Sequence, residues 1–520
     1  MKKILTLVLA LAMMLSVVSF ASAENDRITI SVMGVDWGYG PSANSSMEQW
    51  WEDLFDVNLD IEWVNYNDYN EKANLLMTSN SVPDVIQINK TNGAYYYPIF
   101  TQAIENGLFA DLTPWLEDGL IENNAVMKNW PQSMWDQATY KGGIYILPRS
   151  KAEVSQQSGI TVRRDLMRKY GFEDEPTDME ELKEWLIDLS NAATEGEGQK
   201  IYALDFYGDL MNNARSTAFA AAFTGQIDWG WDENGNREYI MFDPNYINFL
   251  DWMKDLYDAG VLDPEFALGN SETSKWKGGR SVAYLTAWYN WNQSADRTTN
   301  RIFDSVCPDE YEAWCLMPVE GDNGIVIAVN SSDIDSCIAI SAAAAADEAK
   351  MAKILQVFCA TEEEYPGYND VMSYGVEGLH FYFDENGTRQ KTDEQKLANT
   401  QGYVGAWNQI FLKVDADQVK SKFMRAGASR ASDEAIERAY AIKDVLVAFQ
   451  EETGMAFSNQ NLFSETYNSS WASLTSDLNA NATKYIMGEI TADDWNAYVQ
   501  GIVSSAEYQA ILAEYEASAQ

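Results

Sequence analysis

The sequence predicts an α/β protein of two lobes, each a sheet flanked by helices, with a mostly helical C-terminal region. Three observations carry this. Strand-like and helix-like segments alternate through the first half of the chain, the pattern of parallel sheets covered by helices on both faces. Over 520 residues there is no internal repeat and no long Pro- or Gly-rich linker, so two lobes joined by short crossings fit the length. From about Ser432 onward the pattern is nearly all helical.

Each element follows from its local pattern. Arg27 to Val32 alternates with period two and reads as a strand, and Ser45 to Phe55 as the helix after it. Leu59 to Val64 is a second strand, Asp68 to Ser79 a helix, and Val85 to Ile88 a short buried strand after Pro83-Asp84. Lys141-Gly142-Gly143 turns into a strand over Ile144 to Leu147 that ends at Pro148. Thr177 and Glu180 form a capping box for a helix through Leu189, with Met179, Leu182, Leu186 and Leu189 on one face. Helices are predicted over Glu434–Gln450, Tyr467–Met487 and Asp493–Ser504, the last opened by Thr491 and Asp494.

Charge and leader narrow the function. Lys2 and Lys3, the apolar run Ile4 to Phe20 and Ala21-Ser22-Ala23 have the layout of a signal peptide over residues 1–23, cleaved after Ala23. No cysteine precedes Cys307, so no lipid-attachment cysteine is expected at the cleavage point. The formal net charge of −43 argues against nucleic acid as a partner, because phosphate binding draws on clustered Lys and Arg. A single histidine, His380, excludes multi-histidine metal sites and reads as a structural hydrogen-bonder. In an exported chain Cys307, Cys315, Cys337 and Cys359 could form disulfides; three connectivities exist, and Cys337 and Cys359 read equally well as small buried side chains.

The motifs that resemble catalytic or metal sites have simpler readings. Gly38-Tyr39-Gly40-Pro41-Ser42-Ala43 matches a dinucleotide fingerprint, but an exported protein rarely meets that cofactor, and a loop at a strand end is the better reading. Asp232-Glu233-Asn234-Gly235 and Asp384-Glu385-Asn386-Gly387 lack the ligand spacing of a calcium loop and read as hairpin tips. No metal or cofactor is expected. Aromatic residues make up 13% of the chain, and several cluster after predicted strands or in loops: Trp37-Gly38-Tyr39, Tyr95-Tyr96-Tyr97, Trp288-Tyr289-Asn290-Trp291 and Trp407-Asn408. Open α/β sheets bind ligands there, and sugar rings stack their C–H faces on such side chains.

These residues sit within a wider likeness. The stretches LLMTSNSVPDVIQIN, GLFADLTPWLEDG, KGGIYILP, ITVRRDLMRKYGFEDEPTDMEELKEWL, LYDAGVLDPEF, GGRSVAYLTAW, MPVEGDNG, YGVEGLHFYF and IMGEITADDWNAYV resemble, in order and spacing, the family 1 sugar-binding extracellular solute-binding proteins of ABC importers, in their large oligosaccharide-binding, lipoprotein-like branch. The resemblance implies a periplasmic-binding-protein fold, with a hinged cleft that closes on ligand and then docks to a membrane permease. It implies an N-lobe over residues 24–148 and 331–410, a C-lobe over 149–330, and a helical part over 411–520 packed on the C-lobe. It places Trp37, Asn89, Lys90, Arg149, Trp288, Trp291, Glu377 and Trp407 around the cleft. It also implies a non-enzymatic, monomeric, periplasmic or cell-surface protein. Calcium, which some relatives hold after the helix matching Thr177–Leu189, does not carry over to NAATEGEGQK, where the alternating ligands are missing. An exported glycan hydrolase or lyase, and a peptide-binding protein of the same fold, are the competing functions.

Overall fold

The computed structural model describes residues 27–36, 45–91, 95–130, 132–150, 158–206, 210–211, 214–232, 234–268, 274–289, 291, 312–326, 334–385, 389–392, 407, 410–412, 419, 423, 431–453 and 464–518. The leader, Trp37, the 38–43 motif and Cys307 lie outside them.

The N-lobe begins with β1 (Ile28–Asp36), α1 (Ser46–Phe55), β2 (Val57–Asn65), α2 (Tyr66–Thr78) and β3 (Val85–Ile88). β1 pairs in parallel with β2 and β3. Gly34 lies opposite Trp63 in that register, and a Cβ there would fall 2.6 Å from the indole Cζ3, so only glycine lets the ring lie on the sheet. Ser45 caps α1 by accepting from Glu48 N, and Trp51 and Phe55 turn its apolar face to the core.

The chain then leaves through β4 (Leu147–Ser150). The predicted strand stopped at Pro148, whereas the observed one runs across it, and Ile144 belongs to a separate two-residue hairpin with Thr139-Tyr140. β4 is an edge strand, where a residue lacking an N–H is tolerated.

The C-lobe holds β5 (Ser158–Arg163), α3 (Met179–Glu197), β6 (Tyr202–Leu204), the hairpin β7 (Trp229–Trp231) and β8 (Arg237–Tyr239), α4 (Tyr246–Asp258), β9 (Ser281–Ala287) and β10 (Ala313–Cys315). The cap of α3 is Asp178 rather than Thr177: its carboxylate accepts from Glu180 N and Glu181 N, while Thr177 Oγ1 donates to Glu181. The β7–β8 tip is the predicted hairpin, with Asp232 Oδ1 accepting from Asn234 N and Asn236 N.

β11 (Ile334–Ile340) returns to the N-lobe, followed by α5 (Glu348–Phe358), α6 (Tyr368–Tyr374) and the hairpin β12 (Phe381–Phe383) and β13 (Arg389–Lys391). The N-lobe sheet order is β2-β1-β3-β11-β4 and the C-lobe order β10-β5-β9-β6. The sheets are mixed, not purely parallel: β11 runs antiparallel to β3 and β4, and β5 antiparallel to β9 and β10. A strand arriving from the other lobe enters its sheet from the facing edge, so it runs against the strands that end there.

Helices α7 (Asp433–Thr453), α8 (Glu465–Leu474), α9 (Leu478–Ile486), α10 (Ala492–Val503) and α11 (Ala506–Ser518) close the chain. The single helix expected over Tyr467–Met487 is broken at Thr475–Asp477, where Thr475 Oγ1 donates back to Trp471 O and short polar side chains compete with the helix. The Thr491–Asp494 capping box of α10 is present. These helices join the C-lobe core through residues such as Ile442, Leu446, Leu478, Trp495 and Ile511. Trp229 of β7 is enclosed by Tyr239, Tyr467, Trp471, Tyr508 and Tyr515, fixing the hairpin to the helices. The N-lobe has separate cores on the two faces of its sheet. Phe411 and Leu412 belong to the N-lobe, Val419 and Phe423 to the C-lobe.

Cys315, Cys337 and Cys359 are buried free thiols in three different cores, so none of these three bridges another. The alternative of small buried side chains holds for Cys337 and Cys359.

Candidate functional site between the lobes

Register locates the facing edges. β1, β2 and β3 end together at Asp36, Asn65 and Ile88, and Ser150 of β4 leaves from that same side of the N-lobe sheet. In the C-lobe Ser158, the first residue of β5, pairs with Ala287, the last of β9. The residues after β3 and after β9 therefore stand at the lobe crossings, where open α/β sheets hold ligands.

Asn89 and Lys90 follow β3 there and are half-buried. The Lys90 ammonium lies 5.1 Å from the centre of the Tyr95 ring, a cation–π contact. Burial pushes the Lys90 pKa down to about 8, against the pull of Cys337 and of Asp228. Asp228 belongs to the C-lobe, directly before β7, so a carboxylate of one lobe favours the charged form of a cation of the other. Tyr95 in turn donates from its hydroxyl to Ile334 O at 3.1 Å, at the start of the returning strand β11.

Arg149 sits on β4 at the hinge and is turned onto β11. It is ion-paired with Asp335, and its Nε donates to Ser336 Oγ at 3.2 Å. The guanidinium thus ties the outgoing strand to the returning one. The cavity beside it, lined by Pro148, Cys337, Phe358 and Phe411 among others, measures about 10 Å³, room for a single water and no solute.

The predicted tryptophans divide differently from expectation. Trp288 stands at the C-lobe edge, but its ring is fully buried, edge-on to half-buried Tyr289 at 5.6 Å. Beneath it Gly159 leaves no room for a side chain: a Cβ would meet Trp288 Cα at 2.8 Å and Cys315 Sγ at 2.7 Å. Trp291 packs on Trp314 and Phe423, each at 5.0 Å, inside the C-lobe core. Trp407 is enclosed by Trp51, Trp63 and Phe411 in the N-lobe core. Burial removes these three rings as exposed stacking platforms in this form. Glu377 is exposed on the turn before β12. Trp37 lies outside the described residues.

His380 is fully buried and structural. Its Nδ1 accepts from Val376 N at 2.6 Å, so Nε2 carries the proton and donates to Ser46 Oγ at 3.0 Å. Sequence reasoning missed Asp228, Asp335 and Tyr289. Asp228 and Asp335 carry no signal among 79 acidic residues, whereas Tyr289 belongs to a singled-out aromatic cluster and needed only its exposure.

The profile of the bacterial extracellular solute-binding protein family matches residues 38–351. The chain belongs to this family. This solute-binding protein is 25% identical over 265 residues to Lipoprotein LipO of Bacillus subtilis (strain 168), covering 49% of this chain and 48% of that one. The match therefore spans about half the length of that relative. Its fold is shared with an HMO-binding, ABC-transporter-associated solute-binding protein from Bifidobacterium longum infantis, at 14% identity and a TM-score of 0.64 over 94% of this chain and 99% of that one. It is shared also with the S. pneumoniae ABC-transporter substrate-binding protein FusA, an EF-hand mutant in complex with fructo-nystose, at 16% identity and a TM-score of 0.61 over 95% and 99%. No helix among the described residues of the solute-binding protein is long and apolar enough to cross a membrane.

Proposed function

We propose that this protein captures an oligosaccharide between its lobes and presents it, closed, to the permease of an ABC importer. The observation that carries the reading is the meeting of strand ends from both lobes at the crossings, where the N-lobe residues Asn89 and Lys90 follow β3 and the C-lobe residue Tyr289 follows β9. A solute held there touches both lobes and stabilises the closed form over the open one, which is all that capture requires. Lys90 and Asp228 offer a donor and an acceptor for sugar hydroxyls. Half-buried Tyr289 offers aromatic surface, and Asn89, Trp37 and Glu377 complete the candidate set. The fructo-nystose bound by one similar structure and the HMO binding of the other support an oligosaccharide as the ligand. On this reading the chain is exported by its leader, acts as a monomer and breaks no bond.

The test is calorimetric titration of the purified protein with neutral and acidic oligosaccharides, monosaccharides and short peptides, with the ligand analysed afterwards. Saturable binding of an oligosaccharide recovered intact is expected. Cleaved sugar would replace transport with hydrolysis, and binding of peptides alone would overturn the sugar assignment.

A further inference from the structure

We infer that the β12–β13 hairpin is a second carbohydrate subsite, at the rim of the cleft, which takes a neutral sugar ring of a longer chain on Tyr382 with Asp384 and Gln390 beside it. The inference rests on the oligosaccharide reading above and extends it.

The first observation is exposure. Tyr382 is 49% exposed at the middle of β12, while its strand neighbours Phe381 and Phe383 turn to the opposite face of the ribbon, where their rings lie 5.7 Å apart. An aromatic ring left open on one hairpin face is a surface on which the C–H face of a sugar can stack.

The second is the chemistry of one face. Tyr382 pairs directly with Gln390 across the two strands, and Asp384 follows two residues on, so all three side chains share a side of the ribbon. Gln390 Nε2 donates to Asp384 Oδ2 at 2.9 Å, which fixes an amide and a carboxylate next to an open ring. A flat apolar face flanked by fixed hydrogen-bonding groups suits a pyranose or furanose, with its C–H face and hydroxyl edge, better than an apolar protein surface. The chain's formal charge of −43 selects a neutral sugar over an anionic one.

The third is placement and rigidity. His380, the residue before β12, bonds Ser46 at the start of α1, and α1 begins on the side of the sheet where β1 ends. The hairpin therefore stands on the cleft side of the N-lobe. Its base is locked: His380 also accepts from Val376 N, Thr392 N donates to His380 O at 3.0 Å, and Thr392 Oγ1 donates to Leu379 O at 2.6 Å. Gly375, at φ +82°, sits so close that a Cβ would fall 2.7 Å from His380 Nδ1. A pre-ordered platform loses little entropy when it binds.

The experiment titrates wild type, Tyr382→Ala, Tyr382→Phe and Gln390→Ala with gluco-, fructo-, galacto- and manno-configured series from disaccharide to hexasaccharide. In the series that binds, wild-type affinity is expected to rise with length. Tyr382→Ala should lose roughly tenfold on the long members and nothing on the disaccharide, as for removal of one stacking ring. Tyr382→Phe should keep the long-chain affinity, and Gln390→Ala should lose part of it. Because the ring is exposed, the melting temperature of Tyr382→Ala should match wild type. Unchanged affinity at every length overturns the subsite alone, including the case where only uptake by cells is lost, which would assign the hairpin to the permease. Equal loss at every length also overturns it, since the ring would then lie in the inner site. Failure of wild type to bind any series overturns the oligosaccharide reading itself.

Discussion

Replacing Trp407 with alanine is expected to destabilise the N-lobe by about 4 kcal/mol, the usual cost of removing a fully buried tryptophan. Trp407 is 0% exposed, edge-on to Trp63 at 5.5 Å and tilted against Phe411 at 5.5 Å and Trp51 at 6.5 Å. Truncation leaves a cavity among rings that cannot collapse onto one another. Thermal or denaturant unfolding checks this, and Trp407→Phe should recover much of the loss. An alanine variant with unchanged melting temperature and abolished sugar binding would instead make Trp407 a ligand platform.

Arg149→Met is the second large effect. The substitution keeps the apolar stem but strips Asp335 of its ion-pair partner and Ser336 of a donor, at a site where the Arg149 side chain is 8% and the Asp335 side chain 21% exposed. Breaking such a pair from one side costs about 3 kcal/mol, largely because a carboxylate is left without its partner. The double variant Arg149→Met with Asp335→Asn should be more stable than the single one, as it removes the stranded charge. A single variant as stable as wild type would show that the strands at the hinge hold together without the clamp. Affinity should fall in proportion to lost hinge order, not vanish, since Arg149 points along the sheet rather than into the cleft.

Most of the scaffold was legible because local patterns and tertiary structure agree. The strand Val85–Ile88 is found as predicted, the Asp232 segment is a hairpin tip, and Thr491 and Asp494 cap their helix, while Asn386 and Gly387 of the second such segment lie outside the described residues. Misreadings came where two local solutions are nearly equivalent. Thr177 and Asp178 can each cap a helix, and Ile144 and Leu147 fall in one apolar run that the fold divides between two pairings, so tertiary structure decides between the local solutions. The site was less legible for a different reason. Position after a strand predicts where a residue stands but not which way its ring turns: Trp288 stands at the cleft edge with its ring in the core, while neighbouring Tyr289 is half-exposed. The resemblance puts Arg149 around the cleft, yet its partner Asp335 lies far along the chain, and only the fold shows that the pair ties the outgoing strand to the returning one.

On this reading a solute draws the two lobes together around the cleft that Lys90 and Asp228 flank from either lobe. Small-angle X-ray scattering on the protein alone and saturated with its best-binding oligosaccharide measures this directly. The account predicts a ligand-induced fall in radius of gyration, lost when Lys90→Ala and Asp228→Ala are combined. Saturable binding with unchanged scattering would contradict it, because the sugar would then occupy a surface on one lobe.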